Sequence, residues 1–133
     1  MRYCGVTFDS NKANLIVLEG TKENYRIIES KITKIVLENE TSQESIKKFY
    51  TDIKSFLTDQ NIKAVAIKMR KHTGKFSGGA VSFKMEAIIQ MLCIDVKLIA
   101  PTAINKKVKN LHVPDSIYKY QIEAFKTAFC LLN

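Results

Sequence analysis

Several residue types are scarce or missing, and each shortage closes off a kind of chemistry. Histidine occurs twice, as the isolated His72 and His112, and no GxSxG stands anywhere, so a serine or cysteine hydrolase has nothing to assemble from. Cysteine is limited to Cys4, Cys93 and Cys130, odd in number and far apart. No CxxC pair or Cys/His metal spacing exists, so the thiols are expected to be reduced and mostly buried. No apolar run is long enough to cross a bilayer. The chain enters a strand-like run from its first residues with no signal-peptide pattern, so we expect a cytoplasmic protein without membrane contact. Walker and dinucleotide motifs are absent too, because Gly74-Lys75 lacks both the preceding glycine and the following Ser or Thr.

Acidic residues are the shortage that points somewhere. No Asp or Glu occurs from Gln60 to Met85, where Lys63, Lys68, Arg70, Lys71, Lys75 and Lys84 fall. A second acid-free stretch, Val96 to Pro114, carries Lys97, Lys106, Lys107 and Lys109, whereas Glu38, Glu40, Glu44 and Asp52 cluster earlier. The net charge is +8 and the sequence pI about 9.4. Such a one-sided distribution favours polyanions as partners. With 133 residues, 46% of them hydrophobic, the chain suits one domain (1–133) with a core that needs no staple.

The segment Lys68-Met-Arg-Lys-His-Thr-Gly-Lys-Phe-Ser-Gly-Gly-Ala80 concentrates this charge between an expected strand, Ile62–Ile67, and an expected helix, Val81–Leu92. Glycines at a helix start let unpaired N–H donors approach an anion. Lys68, Arg70, Lys71, Lys75, Gly78 and Gly79 are therefore the candidate phosphate or nucleic-acid ligands, assisted by Lys106, Lys107 and Lys109. Plainer readings stand beside these. Gly78-Gly79 could serve only tight strand-to-helix entry, Lys68 could be a snorkelling surface residue, and Phe76 could anchor the loop rather than stack on a base.

Arg2–Phe8 and Asn14–Leu18 read as a hairpin around Asp9-Ser10-Asn11-Lys12-Ala13. Tyr25–Leu37 reads as a third antiparallel strand, broken near Glu29-Ser30. Thr41 and Glu44 form a capping-box signature for a helix whose stripe is Ile46, Phe49, Tyr50, Ile53, Phe56 and Leu57, ending near Gln60-Asn61. Asp95–Ile99 is a further strand, and Pro101 starts a short helix through about Lys109. A terminal helix is expected from Asp115, with Tyr118, Ile122 and Phe125 facing inward and Tyr120 left exposed as a partner-binding candidate. These elements predict an α/β fold: one mixed sheet of about five strands, three antiparallel and then parallel, flanked by helices.

This order resembles the ribonuclease H-like plan, in its RuvC-type resolvase branch. Gly5-Val6-Thr7 stands where such resolvases carry Gly-Ile-Asp or similar, and Glu123-Ala124-Phe125 is similar to their terminal Asp-Ala-apolar motif. Cys4-Gly5-Val6, the segment Gly74–Ala87 and Pro101-Thr102-Ala103-Ile104 resemble an uncharacterised bacterial domain family. The resolvase resemblance implies clustered carboxylates holding two divalent ions, magnesium by ligand type. This chain departs from that pattern with Thr7 at the first carboxylate position, Lys68 at the next, and Tyr120 one helical turn before Glu123. Glu123 remains, and Asp9, two residues beyond Thr7, would face the same side of an extended strand. Asp9 and Glu123 are the candidate catalytic residues if the protein is a magnesium-dependent nuclease. Otherwise Asp9 is a turn residue and Glu123 a surface partner of Lys119 or Lys126. The favoured expectation is a nucleic-acid or polyanion binder with a degenerate metal site and no cofactor. A nuclease and a protein-interaction or homodimerisation module are the alternatives.

Overall fold

A computed structural model describes residues 1–71 and 79–133. The expected candidates Lys75, Phe76 and Gly78 lie outside the described residues. The elements are β1 (Arg2–Asp9), β2 (Lys12–Gly20), β3 (Tyr25–Ile28), β4 (Lys34–Val36), α1 (Gln43–Asp59), β5 (Ile62–Lys68), α2 (Ala80–Gln90), β6 (Asp95–Ile99), α3 (Pro101–Lys107) and α4 (Ile122–Phe129). A single 3-10 turn, Lys119–Gln121, leads into α4. The sheet runs β3-β2-β1-β5-β6, with β4 pairing β2 as well. β1, β2, β3 and β4 pair antiparallel, and β5 joins β1 and β6 in parallel.

One expected break and two departures from the expected elements have local causes. The Tyr25–Leu37 run is broken from Glu29 onward into two strands. β3 pairs Val17–Gly20 and β4 pairs Lys12–Asn14. Between them the Ser30 hydroxyl accepts from the Ile32 amide and breaks the ladder. The start of α1 moves from Thr41 to Ser42, because the Thr41 amide and hydroxyl both donate to the Asn39 side chain. Ser42 then accepts from the Ser45 amide as N-cap. The terminal helix starts later than Asp115. The Gln121 side chain accepts from the Tyr118 amide at 3.0 Å and donates to the Leu15 carbonyl at 2.8 Å, so the chain is anchored to β2 before the first helical turn.

The layers follow from which residues the strands bury. β1 and β5, at the centre, are apolar on both faces. One face packs α1 and α2 over Val6, Val65 and Ile67, with Phe49, Met85 and Ile89 among the buried side chains. The other packs α4 over Tyr3, Ile16, Leu18 and Ala64 through Ala124 and Phe125. Gly5 sets how close α4 comes. A Cβ there would run into the Ala124 carbonyl oxygen and lie 2.7 Å from the Ala128 Cβ. Only a residue without a side chain lets the helix rest on β1, and this close seating holds the start of α4 over the strand ends.

Candidate functional site

β1 and β5 run parallel with Val6 beside Ile67, so they end at the same edge of the sheet. Side chains alternate along a strand. Thr7 and Asp9 therefore share the face of Gly5, which is the face that α4 covers. Lys68, last residue of β5, reaches the same face. A cleft of about 360 Å³ opens here, lined by Thr7, Phe8, Asp9, Asn14, Lys68, Arg70, Lys119, Tyr120 and Glu123. The four positions compared with the resolvase pattern, Thr7, Lys68, Tyr120 and Glu123, thus converge, together with Asp9.

Their chemistry is that of an ion pair. The Lys68 ammonium lies 2.8 Å from Glu123 Oε1, and Lys126 lies 3.4 Å from Oε2. The hydrogen bond from Lys68 is the main reason that the Glu123 carboxyl titrates below its ordinary range, despite partial burial that pushes it upward. Thr7 and Asn14, directly opposite one another on β1 and β2, are buried neutral groups. This donor set does not fit two magnesium ions. Among the residues lining the cleft only Asp9 and Glu123 offer carboxylate oxygens, and an ammonium already sits against each of Glu123's. Among the described residues no group of three or more His, Cys, Asp or Glu is arranged to hold a metal.

Arg70 departs from its expected role as an anion ligand. Its guanidinium turns inward, donating to Glu86 at 3.0 Å, to the Ser82 hydroxyl at 3.2 Å and to the Lys68 carbonyl at 3.1 Å. The Phe8 and Phe83 ring centres lie 4.7 and 4.5 Å from it. Only 15% of the Arg70 side chain and 12% of Glu86 are exposed. One terminal nitrogen of Arg70, Nη2, is buried without a hydrogen-bond partner among the described residues. Arg70 ties the end of β5 to α2 and forms one wall of the cleft. Sequence reasoning missed Glu86 and Ser82, although their spacing on α2 (one helical turn) was the available signal.

The remaining candidates are distributed differently. Lys71 is exposed just beyond the cleft. Gly79 is the N-cap of α2, with no side-chain cap and open space around its α-carbon. Its φ of −68° needs no glycine. Lys106 and Lys107 form the last turn of α3 and do not line the Lys68 cleft. Lys107 instead faces a second cleft with Lys22 and Lys97, near the end of α4. Lys119 and Tyr120 join the first cleft. Tyr118, expected inside, is the exposed tyrosine at 61%, whereas Tyr120 is half-buried. No described helix is long and apolar enough to cross a membrane.

A family model described as "Protein of unknown function (DUF3010)" matches residues 1–131. No curated protein matches the chain. Among solved structures it is similar to Thermus thermophilus RuvC, with a TM-score of 0.73 at 10% identity over 97% of this chain and 92% of that one. T. thermophilus RuvC in complex with Holliday junction substrate gives 0.66 at 11% identity, covering 97% and 90%. The Fowlpox virus resolvase in complex with Holliday junction DNA gives 0.54 at 14% identity, covering 98% and 95%. At these identities the likeness establishes the ribonuclease H-like fold.

Proposed function

The chain belongs to the DUF3010 family, and from the site it carries we propose that it binds nucleic acid without cutting it, as a ribonuclease H-like domain whose carboxylate cluster has been replaced. The observation that carries this reading is the Lys68–Glu123 pair at 2.8 Å in the cleft where β1 and β5 end. Lys68 and Lys126 bring two ammonium groups to the one Glu123 carboxylate, so the cluster keeps a net positive charge that opposes divalent cations and favours phosphate oxygens. Lys71 and Lys119 add positive charge around it, within a chain of net charge +8. Two of the structural relatives are complexes with Holliday junction DNA, which supports the partner class. Phosphate contacts of this kind position a strand without reading its sequence, so binding should be sequence-tolerant and weaken steeply with salt.

The test is fluorescence anisotropy with a four-way junction, a duplex and a single strand at rising salt, on the parent and on Lys71→Glu/Lys119→Glu. Both residues are exposed, so circular dichroism should be unchanged. The double reversal should weaken all three substrates together and flatten the salt slope. Parent-level binding by the variant would remove the cleft as the contact site. A magnesium or manganese titration on the same substrates addresses the nuclease reading. Cleavage lost in Asp9→Asn would replace our proposal with it. Light scattering with and without DNA would reveal a homodimer.

A further inference from the structure

Beside the cleft, two aromatic rings are stacked, and the residue carrying one of them, Tyr118, is exposed. Tyr118 and Tyr120 lie with ring centres 5.3 Å apart and planes within 5° of parallel, an offset stack of the favourable kind. Tyr120 is the anchored member. Its hydroxyl is 2.6 Å from that of Thr33 on the strand side, and the Lys34 ammonium sits 5.1 Å from its ring centre. The Tyr118 backbone is fixed by the buried Gln121, which bridges it to the Leu15 carbonyl. A large aromatic that is 61% exposed, yet held at both ring and backbone, loses little conformational freedom when another flat group stacks on it. The Lys34 ammonium lies against the Tyr120 ring, Lys119 lies between the two tyrosines in the chain, and Lys68 lines the cleft that Tyr120 also lines, so an anionic chain carrying flat groups is the occupant that matches in charge and shape.

We infer that Tyr118, supported by Tyr120, is a stacking platform for an unpaired nucleobase, with Lys119 taking the adjoining phosphate. The inference rests on the nucleic-acid reading above and narrows it to substrates with single-stranded or unstacked bases. Base–aromatic stacking of this kind is sequence-tolerant, since every base has a π-face.

The experiment compares the parent, Tyr118→Phe and Tyr118→Ala for affinity to a short oligothymidylate, to the same strand with abasic sites, and to a blunt duplex. Tyr118→Ala should weaken binding to the oligothymidylate by about 5- to 150-fold. Tyr118→Phe should retain it, and both variants should match the parent on the abasic strand and the duplex. Equal oligothymidylate affinity in parent and Tyr118→Ala would overturn the platform while leaving nucleic-acid binding in place. An equal loss on the abasic strand would overturn it too, because no base is there to stack. If the parent binds none of the three at low salt, the nucleic-acid reading itself fails and the platform with it.

Discussion

Replacing Arg70 by Glu should unfold the end of β5 rather than merely weaken ligand binding. Arg70 and Glu86 are paired at 3.0 Å with 15% and 12% of their side chains exposed, so solvent does little to screen them. Removing one member of a buried pair leaves the other charge uncompensated and costs about 3–5 kcal/mol. In Arg70→Glu two carboxylates would face each other beside Phe8 and Phe83, so the upper end of that range applies. A single domain has about 5–15 kcal/mol in total. For a chain of this size the loss corresponds to roughly 10–20 °C in melting temperature. Thermal melting by circular dichroism would measure it, with Lys71→Glu as the exposed control expected within about 2 °C of the parent. The double variant Arg70→Met/Glu86→Leu, which removes both charges, should recover much of the stability. A melting temperature for Arg70→Glu close to that of Lys71→Glu would refute the assignment of Arg70 to the interior.

Gly5→Ala should also destabilise strongly, because the new methyl meets the Ala124 backbone and Ala128, neither of which can rotate away. Urea denaturation should show a loss of at least about 1–3 kcal/mol, as overpacking does. Glu19 accepts from Arg2 at 2.8 Å and from Arg26 at 2.7 Å, and these hydrogen bonds lower its carboxyl from 4.5 to about 2. A lowered carboxyl contributes stability above pH 4.5 that is lost as the pH falls toward 2. Denaturation midpoints of Glu19→Gln should therefore approach those of the parent across that window, and a constant gap would contradict the pairing. Among the cysteines, Cys93 is exposed, while burial pushes the Cys4 thiol up to about 12 and raises that of Cys130. A native thiol titration should find one fast-reacting group, absent in Cys93→Ser.

Much of the architecture was legible because it is written in short-range pattern. The apolar stripe of α1 repeats with the helical period, β5 carries a short continuous apolar run, and a proline marks the first turn of α3. Misreadings came where a side chain from elsewhere competed for a backbone group. Asn39 took Thr41 from its cap, and Gln121 anchored Tyr118 to Leu15. The site was legible at Thr7, Lys68 and Glu123 through their departure from or agreement with the resolvase pattern. The inward turn of Arg70 was not, because it depends on α2 folding back to bring Glu86 beside it.

The order of elements, the unequal spread of charge and the presence of Thr7 and Lys68, neither of them a carboxylate, were determined by the linear chain alone, since each is a matter of residue identity and local period. Three dimensions decided which cations are free to meet a partner. Arg70 is bound to a buried carboxylate, Lys68 is held by Glu123, Lys107 faces another cleft, and Tyr118 rather than Tyr120 meets solvent. The physical reason is that a charge is neutralised, and a ring is covered, by whatever packing brings within a few ångströms, and these neighbours come from distant parts of the chain.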